Sequence, residues 1–534
     1  MTESPARQIQ NRGLCSKCGK VVPAHHETRE NSVFLVKECP DCGNSDTIVS
    51  TNAARYQEKR DLTHYQGEAE KTCGLNCMTC NSHKPPTLVF LDVTNRCNMN
   101  CPICLANIPA MGFRFDPPKA YFEKVFAKLS EMDPKPKIQL FGGEPTCRDD
   151  LIELIEMARD KYGLEARVVT NGIRLANEDY CKKLLATGCQ LMFSFDGRAP
   201  EIYERTRKHP KSYERKLQGL ENIRKYRKSK ITLMVCVGEG INDKYLPDLV
   251  EYCHGGRDFI AAMDLIPLVS TWGPEKVDTR NTTIEDVERI MIQQFPGLAF
   301  FPAGVMYKLT TLRQTFDMGR LTFGGAHPNC ESVSAMISDG TKYVPITKYL
   351  KRPLNDAVAD LLDLDARMAE MIPQSLFCKM FKTKGPQIIY GWNLYGLMRR
   401  NLDTREIFGG AMFPKLMKIG WGLLRGIRMK VLLRANTKVQ GVLRLIVLPF
   451  EERACVEAAR LIDCPAQFAY EHPVTRDIKF MPVCAWAIHK NGILKTIAQT
   501  YGVAEAGQEG MTGLKPRAEV AEELANQELA AQGS

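Results

Sequence analysis

The most constraining feature of this 534-residue chain is a set of three closely spaced cysteines, Cys97, Cys101 and Cys104. They have the spacing C-x3-C-x2-C and lie in the segment TNRCNMNCPICLAN, residues 94–107. Three thiolates at this spacing can hold three irons of a [4Fe–4S] cube. The fourth iron then has no protein ligand and stays open to a small chelating molecule. The alternative is that these are scattered core cysteines.

Two earlier CxxC knuckles predict a separate metal site. Cys15 and Cys18 form the first knuckle, Cys39 and Cys42 form the second, and a glycine follows each. Two knuckles of this kind are typical of a tetrahedral four-thiolate site in a rubredoxin-like or zinc-ribbon module. A module this short buries little surface, so the metal would supply much of its folding free energy. Iron and zinc both accept four thiolates, and the spacing leaves the metal open.

A second C-x3-C-x2-C set lies between the knuckles and the first motif. It consists of Cys73, Cys77 and Cys80, and it repeats the spacing of the later triplet 24 residues upstream. The repetition predicts an auxiliary [4Fe–4S] cluster. A structural or zinc-binding triplet is the alternative.

The composition of the chain is that of a globular protein. Residues are 44% hydrophobic and 25% charged, and residues 1–30 are polar and without a secretory signal. No stretch reaches 18 uncharged apolar residues, so we expect no transmembrane helix. Clustered cysteines in such a chain indicate metal binding rather than disulfides. We therefore expect a reducing, cytoplasmic location.

Residues 87–300 alternate between short apolar runs and amphipathic stretches. Candidate strands are Thr87–Val93, Lys137–Phe141, Ala166–Thr170, Gln190–Phe195, Ile231–Val237 and Phe259–Pro267, with helical patterns such as Tyr121–Met132, Leu151–Lys161 and Glu178–Thr187. Such alternation implies βαβ units and a parallel sheet, so the fold class is α/β. A site is expected at the carboxyl ends of the strands.

The triplet Cys97, Cys101 and Cys104, followed by this alternation, resembles the radical S-adenosylmethionine (SAM) superfamily. The resemblance implies a partial (β/α)6 TIM-type barrel, a [4Fe–4S] cluster on the triplet, and SAM capping the open iron. It also implies that the cluster passes an electron to SAM and that a 5′-deoxyadenosyl radical abstracts hydrogen from the substrate.

Polar residues at the predicted strand ends are candidates for SAM contact. Glycines let the backbone approach a ligand closely, and the carboxylate of Glu144 suits the amino group of SAM. Side chains at the next two strand ends suit its ribose and carboxylate, although Asn-Gly and Asp-Gly are also common turns. The candidates are Gly142, Gly143, Glu144 and Pro145 after strand two, Asn171 after strand three, and Ser194 and Asp196 after strand four.

Three further cysteines after the barrel, Cys330, Cys464 and Cys484, are candidate ligands of another auxiliary cluster. They can share a cluster only if the fold brings them together. Residues 334–346 between them are predicted to be a strand pair around Asp339 and Gly340. Remaining cysteines such as Cys236 have no partner spacing and are interpreted as core or surface thiols.

The charge of the chain is concentrated in residues 375–450. This segment holds 14 Lys/Arg and 2 Asp/Glu, whereas the whole chain holds 72 and 62. Residues 413–434 interleave six cations with Leu, Ile, Met and Trp421, as a membrane-interface helix does. Three glycines weaken the helix prediction. A basic face of a core helix and a nucleic-acid surface are the alternatives, and without a recognition motif we expect no nucleic acid.

The order of the motifs resembles the archaeal tetraether lipid synthase group and its bacterial membrane-spanning lipid synthase relatives. The shared elements are the paired knuckles, CGxxCxxC, TNRCNMNCPICLAN, FGGEPT with RDDL, HPNC, and the late PVC. The resemblance implies mononuclear iron on the four knuckle cysteines and one or two auxiliary [4Fe–4S] clusters. It implies an enzyme that joins two lipid chain ends by an sp3–sp3 C–C bond at the inner face of the membrane, with a reductant such as flavodoxin or ferredoxin.

Two other functions remain open. One is a peptide- or RNA-modifying radical SAM enzyme with auxiliary clusters, and the other is an electron carrier or interaction protein without catalysis. The expected division is residues 1–60 metal module, 61–86 auxiliary cluster segment, 87–300 barrel, 301–374 mixed connecting region, 375–450 membrane or lipid contact, 451–511 carboxyl-terminal cluster region, and 512–534 tail.

Metal analysis tests these ligand sets together. Anaerobically purified protein is expected to contain about 13 irons per chain, enough for three cubes and one mononuclear iron, or about 12 with one zinc. Iron and acid-labile sulfide are counted on the same sample. A content of about 4 irons would leave only the SAM-binding cluster and contradict the auxiliary ligand sets.

Overall fold

The computed structural model describes most of the chain. The described residues are 11–65, 73–78, 80, 83–106, 108, 111–269, 281–318, 325–382, 384–427, 429–450 and 454–502. The predicted tail 512–534 lies outside them, as does Arg428 of the basic run.

The amino-terminal module is a four-stranded antiparallel sheet in the order β1-β2-β3-β4. Its strands are β1 Asn11–Leu14, β2 Val21–Arg29, β3 Ser32–Cys39 and β4 Gly43–Ser50, and α1 Ala53–Leu62 follows. Gly19 and Gly43, which follow the two knuckles, have φ angles of 74° and 75°. Glycine is favoured in this left-handed region, and it turns the chain sharply after each CxxC.

Six parallel strands form the expected partial barrel, in sequence order. They are β5 Leu88–Thr94, β6 Lys137–Gly142, β7 Ala166–Thr170, β8 Gln190–Ser194, β9 Ile231–Val237 and β10 Ile260–Pro267. The helices among and after them are α2 Lys119–Ser130, α3 Leu151–Glu156, α4 Glu178–Ala186, α5 Pro200–Arg207, α6 Ser212–Tyr226, α7 Leu246–Gly255 and α8 Ile284–Gln294. The predicted α/β fold with a partial TIM-type barrel is confirmed.

Helix–strand packing follows the hydrophobic periodicity. In α2, Phe122, Val125, Phe126 and Leu129 recur at helical spacing, and all four side chains are buried in the main core. All seven residues of β5 are buried, as expected of a parallel strand covered on both faces.

The remaining elements lie in the carboxyl-terminal half. The strands are β11 Phe301–Pro302, β12 Ser332–Ser338, β13 Tyr343–Pro345, β14 Gly441–Val447, β15 Ala466–Glu471 and β16 Ile478–Pro482. The helices are α9 Gly304–Lys308, α10 Thr310–Thr315, α11 Leu354–Gln374, α12 Leu376–Met380, α13 Lys384–Asn401, α14 Thr404–Phe408, α15 Met412–Leu424, α16 Met429–Asn436, α17 Ala458–Leu461 and α18 Val483–Thr500.

Two late strands extend the barrel at its two edges. β14 pairs in parallel with β10, and β15 pairs in parallel with β5. Within the described residues, the parallel array therefore runs β15-β5-β6-β7-β8-β9-β10-β14. β12 and β16 continue the sheet as antiparallel strands outside β14 and β15. The late cysteines are thereby brought to the barrel rather than to a separate domain.

The basic segment forms helices rather than one continuous interfacial helix. α15 and α16 are separated near Gly426, which has a φ of 74°. Gly422 lies within α15, and a Cβ there would overlap with the side chain of Leu432 in α16. The glycines that weaken the helix prediction thus allow a turn and a close helix–helix contact. None of the described helices combines the length and hydropathy needed to cross a membrane.

A buried ion network joins the amino-terminal module to the barrel. The Nζ of Lys59 in α1 lies 2.7 Å from Glu285 and 2.8 Å from Glu288, both in α8. Arg55 also pairs with Glu288 at 2.8 Å. Burial alone would raise the pKa of Glu288, but Lys59 and Arg55 lower it to about 2. The carboxylate of Glu288 is therefore charged, and its charge depends on the cations of α1.

Removing the central cation of this network is expected to destabilise the protein. Lys59→Met leaves Glu285 buried without its cation, which costs about 3–5 kcal/mol. The thermal unfolding midpoint and the urea-unfolding free energy measure the loss. Lys128→Met, which breaks the exposed Lys128–Glu131 pair, is the control and should change little. Equal stability of the two variants would contradict the role given to Lys59.

Candidate functional site

The cysteine triplet occupies the loop that follows β5. The backbone N–H of Asn95 donates to Phe115 O at 3.0 Å, and the side chain of Asn95 accepts from Phe115 N at 2.8 Å. These bonds close the loop that carries Cys97, Cys101 and Cys104. Burial raises the pKa of Cys97 and of Cys101, and the neighbouring thiols raise both further. Three partly buried thiols on one closed loop suit a metal cluster, which would bind them as thiolates.

The end of β6 is packed directly against this loop. A Cβ at Gly142 would overlap with the carbonyl oxygen of Thr94, and one at Gly143 with that of Arg96. The backbone N–H groups of Gly143 and Glu144 donate to these two carbonyls at 2.8 Å each. Only glycine at both positions permits this approach. The contact brings Glu144 beside the cysteine loop.

Glu144 is buried and held by a network of hydrogen bonds. Its Oε1 accepts from the hydroxyls of Thr146 and Thr170, both at 2.7 Å, and its Oε2 accepts from Asn171 N at 2.6 Å. Burial raises the pKa of Glu144 above its usual value, and these donors offset only part of that rise. Within the described residues, Oε2 has only the one recorded donor and can accept a second. This acceptor fits the ammonium group of SAM.

A cavity of about 160 Å3 lies over the cysteine loop and the strand ends. It brings together most of the predicted SAM contacts and the cluster cysteines. Those in its wall are Cys97, Cys101, Cys104, Gly142, Gly143, Glu144, Asn171 and Ser194. Pro145 and Asp196 are not in this wall. Pro145 is buried in a short 3-10 turn, and the Asp196 carboxylate accepts from Arg207 Nε at 2.9 Å and from Cys236 N at 2.9 Å.

Two cations in the same wall were not singled out from the sequence. Arg207 at the end of α5 pairs with Asp196 and donates to Ser194 Oγ at 3.2 Å. Lys216 in α6 donates to the carbonyls of Asn171 and Ser194 at 2.6 and 2.7 Å. Burial, followed by Arg207, lowers the pKa of Lys216 to about 8. Arg207 and Lys216 give the cavity a positive side that suits the carboxylate of SAM. No sequence motif marks them.

A second, larger cavity of about 290 Å3 occupies the barrel interior. Cys330, Cys464 and Cys484 all line it, so the structure brings these three predicted ligands to one cavity. The Nε of Arg460 donates to Cys330 Sγ at 3.3 Å. Met234 and Ile266 line both cavities, so the strand-end cavity and the barrel interior adjoin at these side chains.

The four knuckle cysteines converge as a single-ion site requires. The ligand atoms of Cys15, Cys18, Cys39 and Cys42 lie within 4.8 Å of one another, and Cys18 Sγ and Cys39 Sγ are 3.7 Å apart. A tetrahedral ion with bonds of about 2.3 Å separates its sulfurs by about 3.8 Å. The backbone N–H groups of Cys18 and Lys17 lower the pKa of Cys15 to about 6, which favours the thiolate.

The remaining triplet is also gathered in space. Burial raises the pKa of Cys73, and burial together with the other two thiols raises that of Cys77 to about 12. The N–H of Cys80 donates to Asn76 O at 2.9 Å and closes the turn between the last two cysteines. The triplet therefore forms a compact, partly buried set.

Known proteins match this chain over the regions just described. A family model described as the radical SAM superfamily matches residues 91–253, and one described as the HMPTM N-terminal zinc ribbon domain matches residues 10–51. The 7,8-dihydro-6-hydroxymethylpterin dimethyltransferase of Methanocaldococcus jannaschii is 30% identical over 63% of this chain and 70% of its own length. The AdoMet-dependent heme synthase of Methanosarcina barkeri is 35% identical over 26% of this chain and 40% of its own length.

Solved structures give a weaker likeness. Native anSMEcpe with bound AdoMet and Cp18Cys peptide has a TM-score of 0.34 and 18% identity, over 45% of this chain and 68% of that one.

The cluster-type cysteine loop, the strand-end pocket and the partial barrel define an enzyme class that uses an iron–sulfur cluster and SAM. The chain belongs to the radical SAM superfamily. The expected cofactors, a [4Fe–4S] cluster with SAM and a metal in the amino-terminal module, agree with this assignment.

The residues of the strand-end cavity have different roles in the chemistry. When bound, the cluster and SAM supply one-electron chemistry that generates a carbon radical. Glu144 would orient the amino end of SAM, and Arg207 and Lys216 would neutralise its carboxylate. Met234 and Ile266 form an apolar boundary toward the barrel interior.

Substituting Glu144 tests the assignment of the SAM amino-group contact. Glu144→Gln loses one charge-assisted hydrogen bond worth about 1.5–3 kcal/mol, so SAM is expected to bind roughly 10- to 150-fold more weakly. Equilibrium binding to anaerobic, cluster-loaded protein gives the dissociation constant. Glu153→Gln changes an exposed carboxylate of α3 and serves as the control. An unchanged constant for Glu144→Gln would contradict the assignment.

Proposed function

We propose that this radical SAM enzyme abstracts hydrogen from lipid alkyl chains and joins two chain ends by a C–C bond to make membrane-spanning lipids. The proposal adds a substrate class, lipid alkyl chains, to the assignment of the chain as a radical SAM enzyme. Its main support is a basic surface with exposed apolar side chains on the helices that lead into the barrel.

The apolar side chains on this surface are unusually concentrated. Of the twenty large apolar side chains exposed in the described residues, thirteen lie between Met371 and Leu433. The most exposed of them are Leu376 at 80%, Met380 at 72% and Trp392 at 69%. Exposed apolar side chains concentrated in one segment favour contact of that segment with another apolar phase.

Aromatic residues and cations accompany these side chains. Trp392 stacks on Tyr395 with 5.8 Å between ring centroids, and Tyr395 contacts Phe413 edge-on at 6.1 Å. Arg425 lies over the exposed ring of Trp421 at 5.1 Å. Aromatic rings beside Lys and Arg are typical of proteins that bind the anionic interface of a bilayer.

The helices that carry this surface are followed directly by a strand that lines the barrel interior. Only residues 437–440 separate α16 from β14, whose Arg444 and Ile446 line the interior cavity. A lipid chain that passed from a bilayer into this cavity would stay out of water, and each CH2 kept from water is worth about 0.8 kcal/mol.

We propose a peripheral location at the cytoplasmic face of the membrane, with flavodoxin or ferredoxin as reductant. Cys330, Cys464 and Cys484 are proposed to hold an auxiliary cluster beside the chain.

A second candidate is chemistry on a small heterocycle. A relative that matches 63% of this chain is named 7,8-dihydro-6-hydroxymethylpterin dimethyltransferase. In addition, part of the cavity wall is polar, with Gln139, Arg167, Asp264 and Arg444. These groups suit a heterocycle with donors and acceptors better than an alkyl chain.

Product analysis separates the two candidates. Anaerobic protein is incubated with SAM and a reductant, once with vesicles of membrane lipid and once with the reduced pterin. Lipid mass spectrometry is expected to show a coupled product with two fewer hydrogens. Coupled lipid supports the proposal. Methylated pterin without any change in lipid would contradict it in favour of the second candidate, and no product in either incubation would count against both.

Charge placed on the exposed apolar surface should weaken membrane binding without harming the SAM site. The double variant Met417→Glu, Trp421→Glu is expected to lower affinity for anionic vesicles about tenfold or more, because each side chain loses its apolar burial. Co-sedimentation with vesicles measures the affinity. Val474→Glu, which changes a still more exposed apolar residue on the β15–β16 turn, should retain it. Equal loss in both variants, or in neither, would contradict a specific membrane surface.

A further inference from the structure

We infer that Lys490 binds a carboxylate group in a narrow crevice that α18 forms with the residues just after the cysteine triplet. The carboxylate belongs either to a molecule held in the barrel interior or to SAM, and binding measurements distinguish these two sources. The inference goes beyond the proposed lipid chemistry and does not depend on it.

The crevice adjoins both cavities of the barrel. It shares Phe90 and Cys484 with the wall of the interior cavity. It shares Leu105 and Phe141 with the wall of the strand-end cavity. A group bound in the crevice would therefore lie next to the place where SAM is expected and next to the barrel interior.

Lys490 is the charged residue in the wall of this crevice. It is 5% exposed, and its ammonium group makes no hydrogen bond or ion pair with the described residues. Burying a charge without a partner is costly, and buried charges in proteins are usually paired. A bound anion would provide the partner that the described part of the chain does not.

The other side chains around the crevice are mainly apolar. Trp486, one turn before Lys490 in α18, donates from its indole N–H to Asp92 at 2.7 Å. Trp486 also stacks on Phe468 with 5.0 Å between ring centroids, and Phe468 lies 6.1 Å from Phe141. An ion pair beside such a wall is screened less than an ion pair in water. The crevice therefore favours an anionic group attached to an apolar body.

The size of the crevice favours a carboxylate over a larger anion. A cavity needs roughly 10–15 Å3 for each group the size of a water molecule, so the crevice of about 40 Å3 holds about three such groups. A carboxylate has three heavy atoms, whereas a phosphate has five. The rest of the ligand would extend into one of the two adjoining cavities.

Binding of a simple carboxylate tests the site. Sodium hexanoate is titrated calorimetrically into anaerobic, cluster-loaded full-length protein, and hexanamide is the uncharged probe of the same size. We expect hexanoate to bind about tenfold or more tightly than hexanamide. Lys490→Met should abolish this preference, because the charge-assisted hydrogen bond is lost. Lys495→Met, which changes an exposed lysine of the same helix, is the control and should retain it.

The source of the carboxylate follows from the affinity for SAM. If the carboxylate belongs to a second molecule, Lys490→Met should bind SAM as the unchanged protein does. If it belongs to SAM, Lys490→Met should bind SAM about tenfold or more weakly and decarboxylated SAM with unchanged affinity. Either result supports a carboxylate site at Lys490.

The inference is overturned if neither probe depends on the charge of Lys490. In that case the preference for hexanoate is absent, or it survives in Lys490→Met, or it is lost equally in Lys495→Met, and the affinity for SAM does not change. Equal weakening of SAM and decarboxylated SAM would also contradict it. The thermal unfolding midpoint is measured for every variant, and Lys490→Gln is used in the same way if Lys490→Met does not fold.

Discussion

The site depends on one backbone contact, between the glycines that end β6 and the first residues of the cysteine loop. Gly142 and Gly143 lie so close to the carbonyls of Thr94 and Arg96 that no side chain fits between them. Two backbone hydrogen bonds of 2.8 Å fix the approach. The contact sets the position of the loop that carries the three thiols, and it simultaneously brings Glu144 to the same place. A cluster and an amino-group acceptor can be adjacent only because this contact is made by backbone.

Residues at the ends of the next parallel strands complete a pocket around this contact. Thr170 and Asn171 reach Glu144 from the end of β7, and Ser194 approaches from the end of β8. Behind them, Lys216 and Arg207 provide buried positive charge on α6 and α5. One edge of the sheet thus supplies the acceptor and the two helices supply the cations, while the barrel interior next to Met234 and Ile266 is a second cavity. The division suits an enzyme that forms its radical at one position and holds its substrate at the next.

The barrel was predictable from sequence because its strands are short apolar runs bounded by turn residues. The predicted bounds of Ala166–Thr170 and Ile231–Val237 coincide with β7 and β9, and the predicted strand pair around Asp339 and Gly340 is the β12–β13 hairpin. β14 was not predicted, because Gly441–Val447 lies within residues 375–450. The high positive charge of that segment led to its interpretation as a membrane-contact region. Its register is set by pairing with β10, far away in sequence.

The predictable part of the site is the part carried by contiguous motifs. The spacing of the cysteines and the Gly-Gly-Glu sequence identify residues that do line one pocket. Arg207 and Lys216 have no such spacing, and only the packing of α5 and α6 brings them to the wall. Asp196 was predicted to contact SAM, whereas its carboxylate is paired with Arg207. Likewise, Cys330, Cys464 and Cys484 reach one cavity because strands far apart in the sequence pair with each other. Such pairings could not be predicted from the sequence.

The central claim is that the iron left open by Cys97, Cys101 and Cys104 lies where SAM can chelate it beside Glu144. The most direct measurement is the EPR spectrum of the reduced protein, recorded with and without SAM and compared with the Cys101→Ala variant. The account predicts a [4Fe–4S] signal that changes when SAM is added and is absent from the variant. A cluster signal that is indifferent to SAM, or a SAM response that survives in Cys101→Ala, would contradict it.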